Sequence, residues 1–208
     1  MDVVELFKAD VPPEFLTRLH GGIRSAYLSA KKSVDSQNIG EEERYNVMPW
    51  TRRGHVESRL RDAAAMSGIE VETEKTGFWR HVVLTCGRFR ITQTTSIDSE
   101  TPLRKAGYKC NYANEQTLLP GFEEIAPTVA ACDPHIYAVV LHRASVLAEE
   151  PDFMMVRFPK PDLDGFHPGE IDLSLYAALP REKPSTATEA VADQALPKLR
   201  PKSRSKSG

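Results

Sequence analysis

The alternation of apolar and polar positions is clearest in residues 78–96, where it predicts a β-hairpin. Gly87 and Arg88 suit its two-residue turn, because glycine at the first central position adopts the positive φ of a type II′ turn. This turn sets the register and places Leu84 opposite Ile91 on an apolar face. The other face is mostly hydroxylic and cationic, and we expect it to face solvent, with a phosphate-contacting platform as the alternative. It carries His81, Thr85, Arg88, Arg90, Thr92 and Thr94.

Apolar residues at helical spacing predict two helices, over residues 12–33 and 51–67. Paired glycines lie in the middle of the first helix, at positions 21–22, where we expect either a break or close packing. Gly68 is suited to end the second helix. The intervening residues 34–50 are polar, and we expect them to form a connection between the helices.

Shorter patterns predict further strands at residues 69–74, 136–142, 153–158 and 171–175. Residues 97–114 lack clear periodicity and are expected to form a loop, whereas residues 122–132 are expected to form a short helix. These elements predict a single α+β domain over residues 1–178, in which two N-terminal helices cover a mainly antiparallel sheet built around the central hairpin. A mixed sheet is the alternative.

The composition changes towards the C-terminus, where residues 179–208 are rich in proline, serine, threonine, alanine and lysine. Residues 197–208 contain five basic residues and no acidic ones, without apolar periodicity. Such a segment cannot bury enough apolar surface to offset the entropy lost on ordering. We therefore predict a disordered basic tail.

Composition narrows the class of protein. Hydrophobic residues make up 40% and charged residues 27% of the 208, which is typical of a globular domain. No apolar run approaches the ~18 residues of a membrane span, and the first ten residues are acidic rather than leader-like. The three cysteines lack paired spacing. We therefore expect a cytoplasmic protein with reduced thiols, no membrane contact and no metal site.

Common catalytic motifs are missing from the sequence. It contains no phosphate-binding loop, no dinucleotide-binding glycine motif, no nucleophile elbow and no zinc-protease motif. We therefore predict no cofactor and assign no catalytic residue.

The charge distribution points to a partner class. Residues 51–109 carry a net charge of +4 and residues 110–180 a net charge of −8. Residues 104–112 also interleave basic and aromatic side chains, as single-stranded nucleic-acid surfaces do. The sequence favours a non-catalytic binding or regulatory protein that contacts nucleic acid through a basic helix and hairpin face. The predicted contacts are Arg52, Arg53, Arg59, Arg88, Arg90, Arg104 and Lys105.

Two alternatives remain open. The first is a divalent-metal nuclease or nuclease-like toxin that uses Glu57 and a carboxylate from the strand at 69–74. Such a site needs an acid and a lysine two positions apart, but Thr73 stands two residues before Lys75. The second alternative is a protein interaction module without nucleic-acid affinity, which would use an exposed strand edge and the acidic segment.

Overall fold

The computed structural model describes residues 2–76, 79–115 and 135–177. Within them, four α-helices and a six-stranded sheet form an α+β fold, which confirms the predicted class. The helices are α1 (Val3–Asp10), α2 (Pro13–Asp35), α3 (Glu41–Ala65) and α4 (Gly107–Glu115). The strands are β1 (Glu70–Thr76), β2 (Trp79–Cys86), β3 (Phe89–Thr95), β4 (Ile136–Arg143), β5 (Phe153–Arg157) and β6 (Ile171–Asp172).

The strands lie side by side in chain order, and the sheet is mixed. Only β3 and β4 pair in parallel, while every other neighbouring pair is antiparallel. The hairpin formed by β2 and β3 has the predicted register, with Leu84 opposite Ile91. Gly87 at its turn has a φ of 53°, as its place in the turn requires.

Asp10, at the end of α1, holds this turn in place. Its carboxylate accepts hydrogen bonds from the backbone N–H of Arg88 at 2.9 Å and from the guanidinium at 2.7 Å through both Nε and Nη2. The pKa of Asp10 is lowered, and the main cause is the side-chain hydrogen bond from Arg88. The hairpin turn and the N-terminal helix are therefore joined by a bidentate ion pair.

We expect Gly87→Ala to lower the free energy of unfolding by about 1.5 kcal/mol. An added Cβ would lie 2.8 Å from the Cβ of Asp10, and the positive φ is unfavourable for alanine. Urea denaturation measures the change. Gly54→Ala is the matched control, because nothing lies within 4 Å of its added Cβ and alanine is preferred inside a helix. Equal stabilities of the two variants would contradict the expectation.

The sheet is covered on both faces. Helices α1, α2 and α3 pack on one face and form the larger core with side chains such as Phe89, Ala138 and Val140. On the other face, Tyr112 and Ala113 of α4 pack against Tyr137 and neighbouring strand residues. This second layer explains why nearly all of β4 is buried.

The second layer overturns the prediction that the hydrophilic hairpin face is open to solvent. His81 and Thr92 on that face are 3% and 1% exposed. The Thr92 hydroxyl lies 2.8 Å from the Tyr137 hydroxyl, so burial leaves it hydrogen-bonded. Arg88, at the turn, remains exposed as expected.

The predicted helices were partly right. Helix α2 runs unbroken through its two glycines, and an added Cβ at Gly22 would lie 3.2 Å from the Cβ of Arg59, which confirms the close-packing alternative. The expected connection at residues 34–50 was wrong over its second half, because α3 begins at Glu41. Three glutamates in the first turn of α3 interact favourably with the helix dipole.

Two other helices were not predicted. The expected loop at 97–114 contains most of α4, and α1 precedes the first predicted helix. The expected strand at 171–175 is limited to β6, which a 3₁₀ turn follows at Leu173–Tyr176. The short helix expected at 122–132 and the basic tail at 179–208 lie outside the described residues. None of the helices in the described part of the chain is long and apolar enough to span a bilayer.

Candidate functional site

A cleft of about 550 Å³ opens between α3, the hairpin and the segment that leads into α4. Trp50 and Arg53 line it from α3, and His81 from β2. The end of β3, the segment into α4 and the first turn of α4 provide the remaining lining residues: Gln93, Thr94, Thr95, Arg104, Lys105, Ala106, Tyr108 and Lys109. Four of these side chains are cationic and none is acidic, which makes the cleft suited to an anion.

Lys109 is the most deeply placed of these cations, with only 5% of the residue exposed. Its Nζ donates a hydrogen bond to the Thr94 hydroxyl at 2.9 Å and lies 6.0 Å from the centre of the Tyr108 ring. Burial, followed by the positive charges of Arg53 and Arg104, lowers the pKa of Lys109 to about 8. The amine is therefore protonated at neutral pH but loses its proton more readily than an exposed lysine.

His81 lies beside Lys109 and is 3% exposed. Its ring stacks on Tyr108 with the ring centres 4.0 Å apart, and its Nε2 lies 3.3 Å from the Tyr112 hydroxyl. The buried Nδ1 has no hydrogen-bond partner among the described residues. Burial lowers the pKa of His81. The negative charge of Glu74 acts in the opposite direction, and the positive charges of Arg53 and Lys109 add to the lowering. A neutral imidazole with one unsatisfied ring nitrogen therefore borders the cleft.

A chain of buried hydrogen bonds runs from the interior to the cleft wall. The Tyr27 hydroxyl lies 2.7 Å from Nδ1 of His142, and Nε2 of His142 lies 2.9 Å from Oε1 of Gln93. The Gln93 amide nitrogen in turn donates to Oε1 of Glu57 at 2.8 Å. Because an amide oxygen only accepts, His142 carries its proton on Nε2 and accepts from Tyr27 at Nδ1. In this series of hydrogen bonds, each residue therefore donates to the next one in the direction of Glu57.

Glu57, a residue of α3, is the last member of this hydrogen-bond network. Its second oxygen accepts the backbone N–H of Val82 at 2.7 Å, and Nε of Arg53 lies 4.0 Å from the first. Burial raises the pKa of Glu57, although the hydrogen bonds from Gln93 and Val82 act in the opposite direction. The carboxylate thus fixes the orientation of Gln93 and offsets part of the positive charge of Arg53.

The nuclease alternative required Glu57 to share a metal ion with other acids. Within residues 2–76, 79–115 and 135–177, no three His, Cys, Asp or Glu side chains are grouped so that they could hold a metal ion. The oxygens of Glu57 are already hydrogen-bonded to Gln93 and Val82. The described residues therefore offer no support for that alternative.

Three of the seven predicted nucleic-acid contacts line the cleft: Arg53, Arg104 and Lys105. Lys105 also pairs with the exposed carboxylate of Asp164 at 2.9 Å. Such a surface pair contributes little to stability and is readily exchanged for another anion. The structure thus brings together cations from a helix and from a segment about fifty residues further along the chain.

The other four predicted contacts lie elsewhere. Arg52 is buried, Arg59 pairs with Asp62 at 3.4 Å, and Arg88 pairs with Asp10. The guanidinium of Arg90 lies over the Tyr112 ring, with its central carbon 5.0 Å from the ring centre. The predicted contacts therefore do not form one continuous surface.

Sequence reasoning did not single out His81, Gln93 or Lys109 as site residues. Lys109 belongs to the basic and aromatic stretch at 104–112, so composition carried a signal for it. His81 resembles an ordinary polar position on a solvated strand, and the packing of Tyr108 and Tyr112 of α4 against its ring makes it part of the cleft. Gln93 follows Phe89 and Ile91 on the apolar face of β3, and its hydrogen bond to Glu57 of α3 appears only in the tertiary structure.

No family model matches this chain, and neither a curated protein nor a solved structure shows significant similarity to it.

Proposed function

We propose that this protein binds single-stranded nucleic acid in the cleft without cleaving it. The observation that carries the proposal is the grouping of four cations, Arg53, Arg104, Lys105 and Lys109, around one cavity. Positive side chains that contact phosphates release counterions, and this release supplies most of the affinity for nucleic acid.

Aromatic rings beside the cations support the same ligand class. Tyr108 lines the cleft, and Trp50 lies at its edge with 57% of the residue exposed. Bases stack on such rings independently of their sequence. A volume of about 550 Å³ falls within the ~300–1,000 Å³ of pockets that hold drug-sized ligands. This size suits one or two nucleotides of a single strand better than a duplex.

The proposal is tested by removing cations from the cleft. In a fluorescence-anisotropy titration of a labelled single-stranded oligonucleotide, we expect Arg53→Ala with Arg104→Ala to weaken binding by about tenfold. The slope of log K against log salt concentration should fall by about 1.4, since each lost phosphate contact contributes ~0.7 for a single strand.

The matched control is Arg24→Ala with Arg59→Ala, which removes the same total charge outside the cleft from two side chains that pair with surface carboxylates. We expect this pair to bind as the unchanged protein does, apart from a small general effect of net charge. If the control pair weakens binding as much as the cleft pair, the cleft is not the binding site.

The same titration discriminates the alternatives. Cleavage that appears only with Mg²⁺ and is lost in Glu57→Gln would favour the nuclease hypothesis. Failure to bind any oligonucleotide, together with tight capture of a defined protein partner, would favour the interaction module.

A further inference from the structure

The geometry of the cleft points to a terminal phosphate as the group it binds at its deepest point. We propose that Lys109 and His81 form a subsite for the phosphomonoester at the end of a nucleic-acid strand. This inference rests on the proposed function and specifies which part of the nucleic acid enters the cleft.

Both residues of the proposed subsite have polar groups available for a bound ligand. The Lys109 ammonium has three donors, and its hydrogen bond to Thr94 uses one of them. His81 has a buried Nδ1 without a partner among the described residues. Buried polar groups are nearly always satisfied, so this nitrogen of a cleft-lining residue is a candidate partner for a bound ligand. The oxygens of a phosphate would accept from the Lys109 ammonium, and from His81 in the protonation state that carries a proton on Nδ1.

The burial of these residues favours a terminal phosphate over an internal one. Lys109 and His81 are 5% and 3% exposed, so only a group that projects from the strand reaches them. An internal phosphodiester carries one negative charge and is flanked by a sugar on each side. A phosphomonoester projects freely, carries a charge of about −1.5 to −2 at neutral pH and presents three acceptor oxygens.

The charges around the subsite match such a dianion. Arg53 and Arg104 act on Lys109 as neighbouring positive charges, and His81 and Tyr108 pack beside it. The amine donates its hydrogen bond to the Thr94 hydroxyl rather than to a carboxylate. Arg53 and Arg104 repel the positive charge of this nearly buried amine, and a bound phosphate would relieve that repulsion.

The charges of the phosphomonoester and of Lys109 determine the pH range in which phosphorylated ends bind more tightly than hydroxyl ends. A phosphomonoester gains its second charge above pH ~6, and Lys109 loses its charge above its pKa of about 8. We therefore expect the preference for phosphorylated ends to be largest between these values and to decline towards pH 9.

The test compares single-stranded oligonucleotides that carry a 5′-phosphate, a 3′-phosphate or hydroxyls at both ends. At pH 7 we expect one of the phosphorylated strands to bind about tenfold more tightly than the hydroxyl-ended strand. Lys109→Met should reduce this affinity ratio to about 1, while Lys75→Met on the exposed part of β1 should leave the ratio unchanged. Raising the pH to 9 should reduce the ratio in the unchanged protein, which provides a readout even if Lys109→Met folds poorly.

The outcomes separate the two proposals. Equal affinity for phosphorylated and hydroxyl ends, with tight binding of both, would overturn the terminal-phosphate subsite and leave the proposed function intact. An affinity ratio that persists in a folded Lys109→Met protein would also overturn it. If none of the three strands binds, the proposed function itself fails.

Discussion

Replacing Arg52 with alanine is expected to lower the free energy of unfolding by about 3 kcal/mol. The residue is 5% exposed, and its Nη2 lies 3.3, 2.6 and 3.0 Å from the carbonyl oxygens of Ser145, Val146 and Ala148. Its guanidinium carbon is also 4.2 Å from the centre of the Tyr27 ring. The substitution leaves carbonyl groups without their charged donor and removes the cation–π contact.

Urea denaturation followed by circular dichroism measures this effect. Arg59→Ala is the matched control, since Arg59 lies on the same helix and its guanidinium pairs with the surface carboxylate of Asp62. The control should change the free energy of unfolding by less than about 0.5 kcal/mol. A loss of less than about 0.5 kcal/mol in Arg52→Ala would show that Arg52 is not a structural residue.

The variant Arg52→Lys separates the charge of this residue from the shape of its side chain. Arg52 was predicted to contact phosphate, but its guanidinium is occupied by the backbone after β4. Lysine at this position keeps the charge but lacks the planar guanidinium that lies over the Tyr27 ring. We therefore expect Arg52→Lys to restore only part of the lost stability.

His142 should make the fold sensitive to mild acid. The imidazole is buried, and this burial, with a smaller contribution from Arg52, lowers its pKa to about 3. In the unfolded chain the pKa is ~6.5. As the pH falls below 6.5, the unfolded chain gains a proton that the folded protein does not take up until about pH 3. The free energy of unfolding therefore falls by about 1.4 kcal/mol per pH unit in this window and is fully recovered above it.

The effect is measured by comparing urea denaturation at pH 7 and pH 5 in the unchanged protein and in His142→Gln. The variant should begin less stable, because it perturbs the hydrogen bonds to Tyr27 and Gln93. Between the two pH values, however, it should lose about 2 kcal/mol less than the unchanged protein. Other titrating groups are common to both proteins and cancel in this difference. Equal losses would mean that His142 does not carry the pH dependence.

The sequence predicted the elements whose signals are local. The apolar stripe of α2 and the turn at Gly87 depend on residues close in sequence, and both predictions were confirmed, including the register of the hairpin. The α+β class followed from these elements, because a helix stripe and a sheet face must each be covered.

Elements stabilised by distant contacts were missed. Helix α4 has almost no amphipathic pattern of its own, and its burial comes from Tyr112 and Ala113 packing on strands β2 and β4. A short helix of this kind is marginal alone and depends on tertiary packing. Because α4 was missed, the hydrophilic hairpin face was expected to be open, and His81 was not recognised as a cleft residue.

Two adjacent arginines show the same difference between local signals and distant contacts. Arg52 and Arg53 are adjacent and chemically identical, and the sequence assigned them one role. On a helix they point about 100° apart. One therefore reaches the carbonyl groups at 145–148, and the other reaches the cleft.

What the sequence determined by itself was the class of fold, the central hairpin and its register, and the presence of a cationic stretch between residues 51 and 109. Tertiary structure alone decided which of those cations are structural, which pair with acids and which surround a common cleft. The reason is physical: periodicity and turn chemistry act between neighbours, whereas the burial and partners of a charged side chain depend on segments far away in the chain.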